Sequence, residues 1–255
     1  MVLVLGAVQQ ASAASILIFG DGFGTTAAGD LEATLTGLGH TVVNHGAATP
    51  LSDADFVGID TAWHVGSSAT YLSNSQTALL NFMVAGGGLH LTGENPALAS
   101  SQNAALLHLL VNPLITGSSL SEGGSASSIV TISLGLPPSI ADVLTVPNDI
   151  IGRPIGAFAT GELVGVDADN VFANDGSTVV GAVYGAGDLI VPGARLSIMM
   201  DVNWLSSSFD ADVVDNLQTF LQGGPEVVAM SEPGTVLLLA AAGLFVVASR
   251  RRERA

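Results

Sequence analysis

Four side chains that could take part in catalysis or metal binding follow short apolar runs along this chain. They are Asp21, His64, Glu94 and Asp201, and each stands at or just beyond the end of a predicted strand. The carboxyl ends of neighbouring parallel strands meet at one rim of a sheet, so we expect the four to converge there. Carboxylates with a histidine can ligate a cation or act as general acid and base in hydrolysis. The same positions also suit helix caps and turn braces, so a purely structural role stays open.

The two tryptophans of the chain lie beside these positions. Trp63 precedes the histidine, Asn203 and Trp204 follow the last aspartate, and Asn95 follows the glutamate. These four residues are the candidate ligand-binding set. Indole rings with a polar neighbour suit a sugar site, but a tryptophan buried at the end of a sheet is also an ordinary core residue.

Composition excludes several kinds of chemistry. Cysteine is absent, which rules out a thiol nucleophile and disulfides. No G-x-S-x-G elbow and no H-E-x-x-H pattern occurs, so we predict no metal site and no cofactor. Between residues 15 and 226, 15 Asp and 5 Glu stand against only Arg153 and Arg195. Such an acidic domain repels nucleic acid, because binding phosphates requires Lys and Arg.

Alternating short apolar runs and helical stripes predict the elements that position these residues. Strands are expected at 15–20, 40–44, 61–65, 89–92 and 195–201, with helices at 30–38, 73–84, 103–110 and 212–221. This order predicts an α/β fold: a three-layer, mostly parallel, flavodoxin-like sheet covered by helices on both faces. Residues 117–177 break the pattern with short strand-like runs, which we expect to form a β-rich insertion beside the main sheet.

Four sequence stretches in this order resemble the class I glutamine-amidotransferase-like fold, and within it the trehalose-utilisation-type domains. The stretches are 18–21 (IFGD), 60–64 (DTAWH), 86–93 (GGGLHLTG) and 200–204 (MDVNW). In active amidotransferases the turn after the strand at 89–92 carries a catalytic cysteine. Here that turn contains Glu94, so the resemblance implies the fold without glutamine hydrolysis.

The C-terminus has three consecutive parts. Ser231, Glu232 and Pro233 precede an apolar run at 234–249, and the chain then ends in a basic cluster that includes Arg250, Arg251 and Arg252. This order resembles the PEP-CTERM sorting signal of Gram-negative bacteria, with Ser-Glu-Pro in place of the usual Pro-Glu-Pro. The resemblance implies a transmembrane helix at 234–249, with the basic residues in the cytoplasm, that holds the exported protein in the inner membrane until an exosortase removes it.

The N-terminus agrees with export. Residues 1–13 are apolar and end in Ala11-Ser12-Ala13, a pattern that suits signal peptidase. The apolar run is short and no basic residue precedes it, so we interpret it as the remnant of a longer signal peptide; a chance apolar terminus is the alternative. The expected organisation is a signal remnant (1–13), an α/β domain (14–222), a linker with the sorting motif (223–233), a transmembrane helix (234–249) and a basic tail (250–255).

Two functions from different classes follow. The first is an exported cell-surface or extracellular-matrix protein whose α/β domain binds or scaffolds without catalysis. The alternative is an extracellular hydrolase or lyase that acts on a polysaccharide or similar polar substrate through the carboxylates and His64. The expected partners are the Sec export machinery, the exosortase and, transiently, the inner membrane, with exopolysaccharide as a candidate ligand.

Overall fold

Five parallel strands form the half of the sheet that carries the predicted site residues. The computed structural model describes residues 13–20, 26–66, 68–125, 129–157, 160–206 and 210–223. The parallel strands are β1 (Ser15–Phe19), β2 (Thr41–Gly46), β3 (Thr61–His64), β4 (Gly88–Thr92) and β11 (Arg195–Met199), in the spatial order β2-β1-β3-β4-β11. The inner strands are continuously buried because helices cover both of their faces, whereas β2 is a partly exposed edge strand.

Most of the predicted insertion continues this sheet instead of lying beside it. Strand β10 pairs antiparallel with β11, and β9, β6 and β7 follow outward, which makes a sheet of nine strands. Strands β5 and β8 pair only with each other. The six strands are β5 (Ser121–Ser125), β6 (Ile129–Ile132), β7 (Pro154–Gly156), β8 (Gly161–Val164), β9 (Val171–Asn174) and β10 (Val179–Tyr184).

Among the described residues, five α-helices flank the sheet: α1 (Ala27–Gly37), α2 (Ala69–Val84), α3 (Pro96–Ala105), α4 (Asp142–Thr145) and α5 (Ala211–Leu221). A π-helical segment, Leu106–Val111, continues α3. Helices α1 and α5 contact each other and the strands of one face, while α2 packs with α3. The β1-α1-β2 and β3-α2-β4 connections run in opposite directions along the sheet. Right-handed crossovers therefore place α1 and α2 on opposite faces.

Three helix starts differ from the sequence prediction. Helix α3 begins at Pro96 instead of 103, with Asn95 as its N-cap. Helix α2 begins at Ala69 instead of 73, because Ser68 accepts the backbone N–H of Tyr71 at 3.2 Å and serves as its N-cap. Helix α1 begins at Ala27, so Asp30 lies in its first turn and accepts the hydroxyl of Thr26.

The α/β unit reaches Gly224. Within the described residues, none of the helices has the length and apolar composition needed to cross a bilayer. The signal remnant, the sorting motif and the predicted transmembrane helix at 234–249 fall outside the described residues.

Candidate functional site

The structure places three of the four predicted site residues at the carboxyl rim, the side of the sheet at which its parallel strands end. His64 is the last residue of β3, and Glu94 and Asp201 lie two residues after β4 and β11. These three strands are neighbours in the order β3-β4-β11, so the three residues share one region of the rim. Asp21, the fourth candidate, lies outside the described residues.

His64 is completely buried and fixed by the neighbouring strand. Its Nδ1 accepts the backbone N–H of Thr92 at 3.3 Å, and its carbonyl oxygen accepts the Thr92 hydroxyl at 2.6 Å. The proton therefore sits on Nε2, which has no hydrogen-bond partner among the described residues. Burial lowers the pKa of His64 to about 3, so the ring is neutral at physiological pH.

Glu94 and Asp201 form a buried carboxyl pair. They are 3% and 0% exposed. Burial raises the pKa of Glu94 to about 7; the backbone N–H groups of Asn95 and Val202 oppose the shift, and the charge of Asp201 adds to it. The Glu94 Oε1 accepts from the Asn95 N–H at 2.8 Å, and Asp201 Oδ1 accepts from the Asn203 N–H at 2.7 Å. Both carboxyl groups therefore brace the turns that follow their strands.

Residues of the insertion cover this pair. The backbone N–H of Gly161, at the start of β8, donates to the carbonyl of Met200 at 2.8 Å. A methyl group at Gly161 would lie 2.6 Å from the carbonyl oxygen of Glu94, so only glycine permits this approach. The preceding Thr160 is fully buried as well. The insertion thus packs directly on the turn that contains Glu94.

The candidate asparagines have structural contacts. Asn95 is the N-cap of α3, and its side-chain oxygen accepts the Ala97 N–H at 2.8 Å. Asn103 from the same helix secures the Glu94 backbone through two hydrogen bonds, of 3.0 and 2.6 Å. Asn203 begins the 3₁₀ turn Asn203–Leu205 and is partly exposed.

Both tryptophans lie in the core beside His90, a buried histidine of β4. The ring centroid of His90 is 4.4 Å from that of Trp63 and 5.8 Å from that of Trp204. Trp63 Nε1 donates to Gln218 Oε1 at 2.8 Å, and His90 Nδ1 lies 2.8 Å from Ser197 Oγ. Because both indoles are at most 1% exposed, they present no face to a ligand from solvent.

An open groove lies at the other end of the parallel strands. It is lined by Asp53, Phe56, Val57, Ile59, Asp60, Ala78, Asn81, Phe82, Ala85, Gly86, Gly87, Leu221 and Gln222. The sequence analysis did not identify this groove, because its lining residues come from separate segments of the chain. Across the described ranges, no group of three or more His, Asp or Glu side chains is arranged to hold a metal ion.

Residues 231–252 match the family model of the PEP-CTERM protein-sorting motif, which confirms the sorting signal predicted from the sequence. The match supports an exported protein that an exosortase processes at the cell envelope or surface. Among curated proteins, no sequence matches this chain.

Solved structures share the fold at low sequence identity. The mmIFT52 N-terminal domain superposes with a TM-score of 0.55 at 11% identity, over 82% of this chain and 98% of its own. A GMP synthase subunit from Thermoplasma acidophilum superposes with a TM-score of 0.53 at 9% identity, over 83% of this chain and 95% of its own. A ThuA-like protein from Parabacteroides merdae superposes with a TM-score of 0.50 at 10% identity, over 84% of this chain and 91% of its own. The predicted resemblance to amidotransferase-like and ThuA-like folds is confirmed, and identities this low carry the fold alone.

Proposed function

We propose that this chain is an exported cell-surface or extracellular-matrix protein whose α/β domain binds or scaffolds without catalysing a reaction. The burial of the carboxyl rim carries this proposal. A general acid, a base or a metal ligand must come within hydrogen-bond distance of its substrate. His64 and Asp201 are 0% exposed and Glu94 is 3% exposed, and the insertion packs directly on the Glu94 backbone.

The sorting motif supports the route that we propose for the chain. After Sec export, the apolar segment at 234–249 holds the protein in the inner membrane of a Gram-negative bacterium with the α/β domain outside. A helix of 16 residues spans about 24 Å, and the flanking arginines extend it by reaching toward the lipid headgroups. The exosortase then releases the domain to the cell surface, where exopolysaccharide is a candidate ligand.

Paired substitutions separate this proposal from the hydrolase or lyase alternative. Glu94→Gln with Asp201→Asn removes two buried charges while keeping the oxygen atoms that accept from the following turns. In a structural pair this change leaves the melting temperature unchanged or raises it, because repulsion is relieved. Glu32→Gln with Asp169→Asn makes the same charge change at a partly exposed and an exposed position and is the matched control.

The experiment records thermal unfolding with and without calcium, magnesium or zinc, together with hydrolysis and binding of a polysaccharide panel. We expect no metal-dependent rise in melting temperature and no hydrolysis by the unsubstituted protein. A metal-induced rise that disappears in the Glu94→Gln, Asp201→Asn variant would favour the enzyme and contradict the binding-module proposal.

A further inference from the structure

The groove at the amino rim, the side of the sheet at which β3 and β4 begin, is built from three elements. The 3₁₀ turn Asp53–Phe56, the end of α2 and the end of α5 form its walls, and the segment between Val57 and Asp60 closes one side. Its volume is about 470 Å³, within the roughly 300–1,000 Å³ of ligand pockets. The groove and the carboxyl rim therefore lie at opposite ends of the parallel strands.

Part of the groove surface is apolar and aromatic. Phe56 and Phe82 stack with ring centroids 4.7 Å apart at 24°. Gly87 permits this arrangement, because a methyl group there would overlap the Phe82 ring. Val57 is 82% exposed at the margin of the groove.

The two charged side chains that line the groove, Asp53 and Asp60, are aspartates held in place by hydrogen bonds. Asp53 accepts the side-chain amide of Asn81 at 3.1 and 3.3 Å. One oxygen of Asp60 accepts the backbone N–H of Ser15 at 2.8 Å. Among the described lining residues there is neither lysine nor arginine. Two fixed, exposed carboxylates beside an apolar surface favour a cation with an apolar stem and disfavour any anion.

We propose that this groove binds a basic peptide segment of a partner protein, with an arginine side chain seated in it. The guanidinium would pair with Asp53 and Asp60, because its planar fork matches a carboxylate. Its methylene stem and planar face would lie against Phe56 and Val57, where cation–π attraction adds to burial. This inference rests on the proposal that the domain is a binding module, and it names the binding surface and the chemistry of the partner.

Fluorescence anisotropy with the full-length chain in detergent micelles tests this site. The probe is a fluorescein-labelled, amidated peptide of alternating leucine and arginine; the control peptide carries glutamate in place of arginine. We expect only the arginine peptide to bind, with an affinity that falls as salt rises. Equal binding of the glutamate peptide, or no binding of either, would overturn the proposal, and so would tighter binding of neutral dextran.

Three variants locate the binding to the groove. Asp53→Asn with Asp60→Asn keeps an acceptor oxygen at each position and removes both charges. We expect this variant to bind the arginine peptide about fivefold more weakly or worse, because two partly exposed ion pairs are lost. Asp167→Asn with Asp169→Asn makes the same charge change at exposed residues of the insertion and should alter affinity by less than about twofold. Ala85→Arg, at an exposed lining position, places a competing cation in the groove and should abolish binding.

Equal loss in both aspartate double variants would show non-specific attraction to an acidic protein and refute the groove. The rim experiment with Glu94 and Asp201 uses different residues and a different readout. If the arginine peptide does not bind, the proposed non-catalytic function is unaffected. A metal-induced rise in melting temperature that depends on Glu94 and Asp201 would contradict that function whether or not the peptide binds.

Discussion

Replacing Glu94 with glutamine should stabilise the protein at neutral and alkaline pH and have little effect in acid. Burial raises the pKa of Glu94 from 4.5 to about 7, so the folded state favours the protonated form. Its stabilising contribution is complete below about pH 4.5 and is lost as the pH rises to 7. At about 1.36 kcal/mol for each pKa unit, the loss reaches up to about 3 kcal/mol at pH 8. Glutamine is neutral throughout and keeps the acceptor for the Asn95 N–H, so it avoids this loss.

Urea unfolding and thermal melts at several pH values between 4.5 and 8 measure the effect. For a domain of this size, up to about 3 kcal/mol corresponds to a rise in melting temperature of as much as roughly 6–12 °C at pH 8. The substitution Glu32→Gln, at a partly exposed position, is the control and should not produce this pH-dependent difference. A Glu94→Gln variant that is no more stable at pH 8, or whose gain is the same at every pH, would refute a buried, destabilised carboxylate.

Three further predictions concern the core and the insertion. Burial lowers the pKa of His64 and of His90 to about 3, so the neutral rings stabilise the fold above about pH 6.5 and this stability is lost as the pH falls. As the pH falls from 7 to 4, each histidine should lower the free energy of unfolding by up to about 3 kcal/mol. Urea unfolding of the Glu94→Gln variant measures this loss. Arg153→Gln breaks partly exposed ion pairs of 3.1 and 2.7 Å to two aspartates at the start of α5 and should cost about 1 kcal/mol by the same assay. Gly88→Ala forces a methyl group into the carbonyl oxygen of Leu221 and should lower the unfolding free energy by about 1–3 kcal/mol, again by urea unfolding.

Each of these has a contradicting result. Stability that stays constant between pH 7 and 4 would show that the histidine rings are hydrated or charged in the folded protein. An Arg153→Gln variant as stable as the parent would mean that the ion pairs are fully screened. Gly29→Ala, within α1 and with open space around it, is the control for Gly88→Ala and should be neutral or stabilising; equal effects of the two alanines would contradict the steric argument.

The parallel half of the fold could be predicted because its strands are short, continuously apolar and bounded by glycine turns. Runs such as 15–20 and 89–92 have this form because helices cover both faces of the strands. The start of α2 was harder, since Ser68 and Ser73 are both acceptable caps and only the hydrogen bond to Tyr71 distinguishes them. The sheet position of the insertion depends on pairings between residues far apart in sequence, such as Ala182 with Ile198, which local patterns do not encode.

The positions of the candidate residues at the carboxyl rim could be predicted from strand order, but their burial could not. The contact between Gly161 and the Glu94 backbone, for example, joins segments 67 residues apart. The amino-rim groove was missed for a related reason, because Phe56 and Phe82 meet only after α2 folds against the preceding turn. The sorting motif was accessible because all of its information lies in one continuous stretch, 231–252.

The C-terminal residue of protein recovered from the cell surface tests the central claim most directly. Mass spectrometry of intact surface material should find a chain that ends near Ser231–Pro233 and lacks the arginine cluster. A variant with Glu232→Gln and Pro233→Ala should stay uncleaved in the inner membrane fraction. Surface-exposed protein that still carries Arg250–Arg254 would contradict exosortase processing and leave an ordinary membrane anchor.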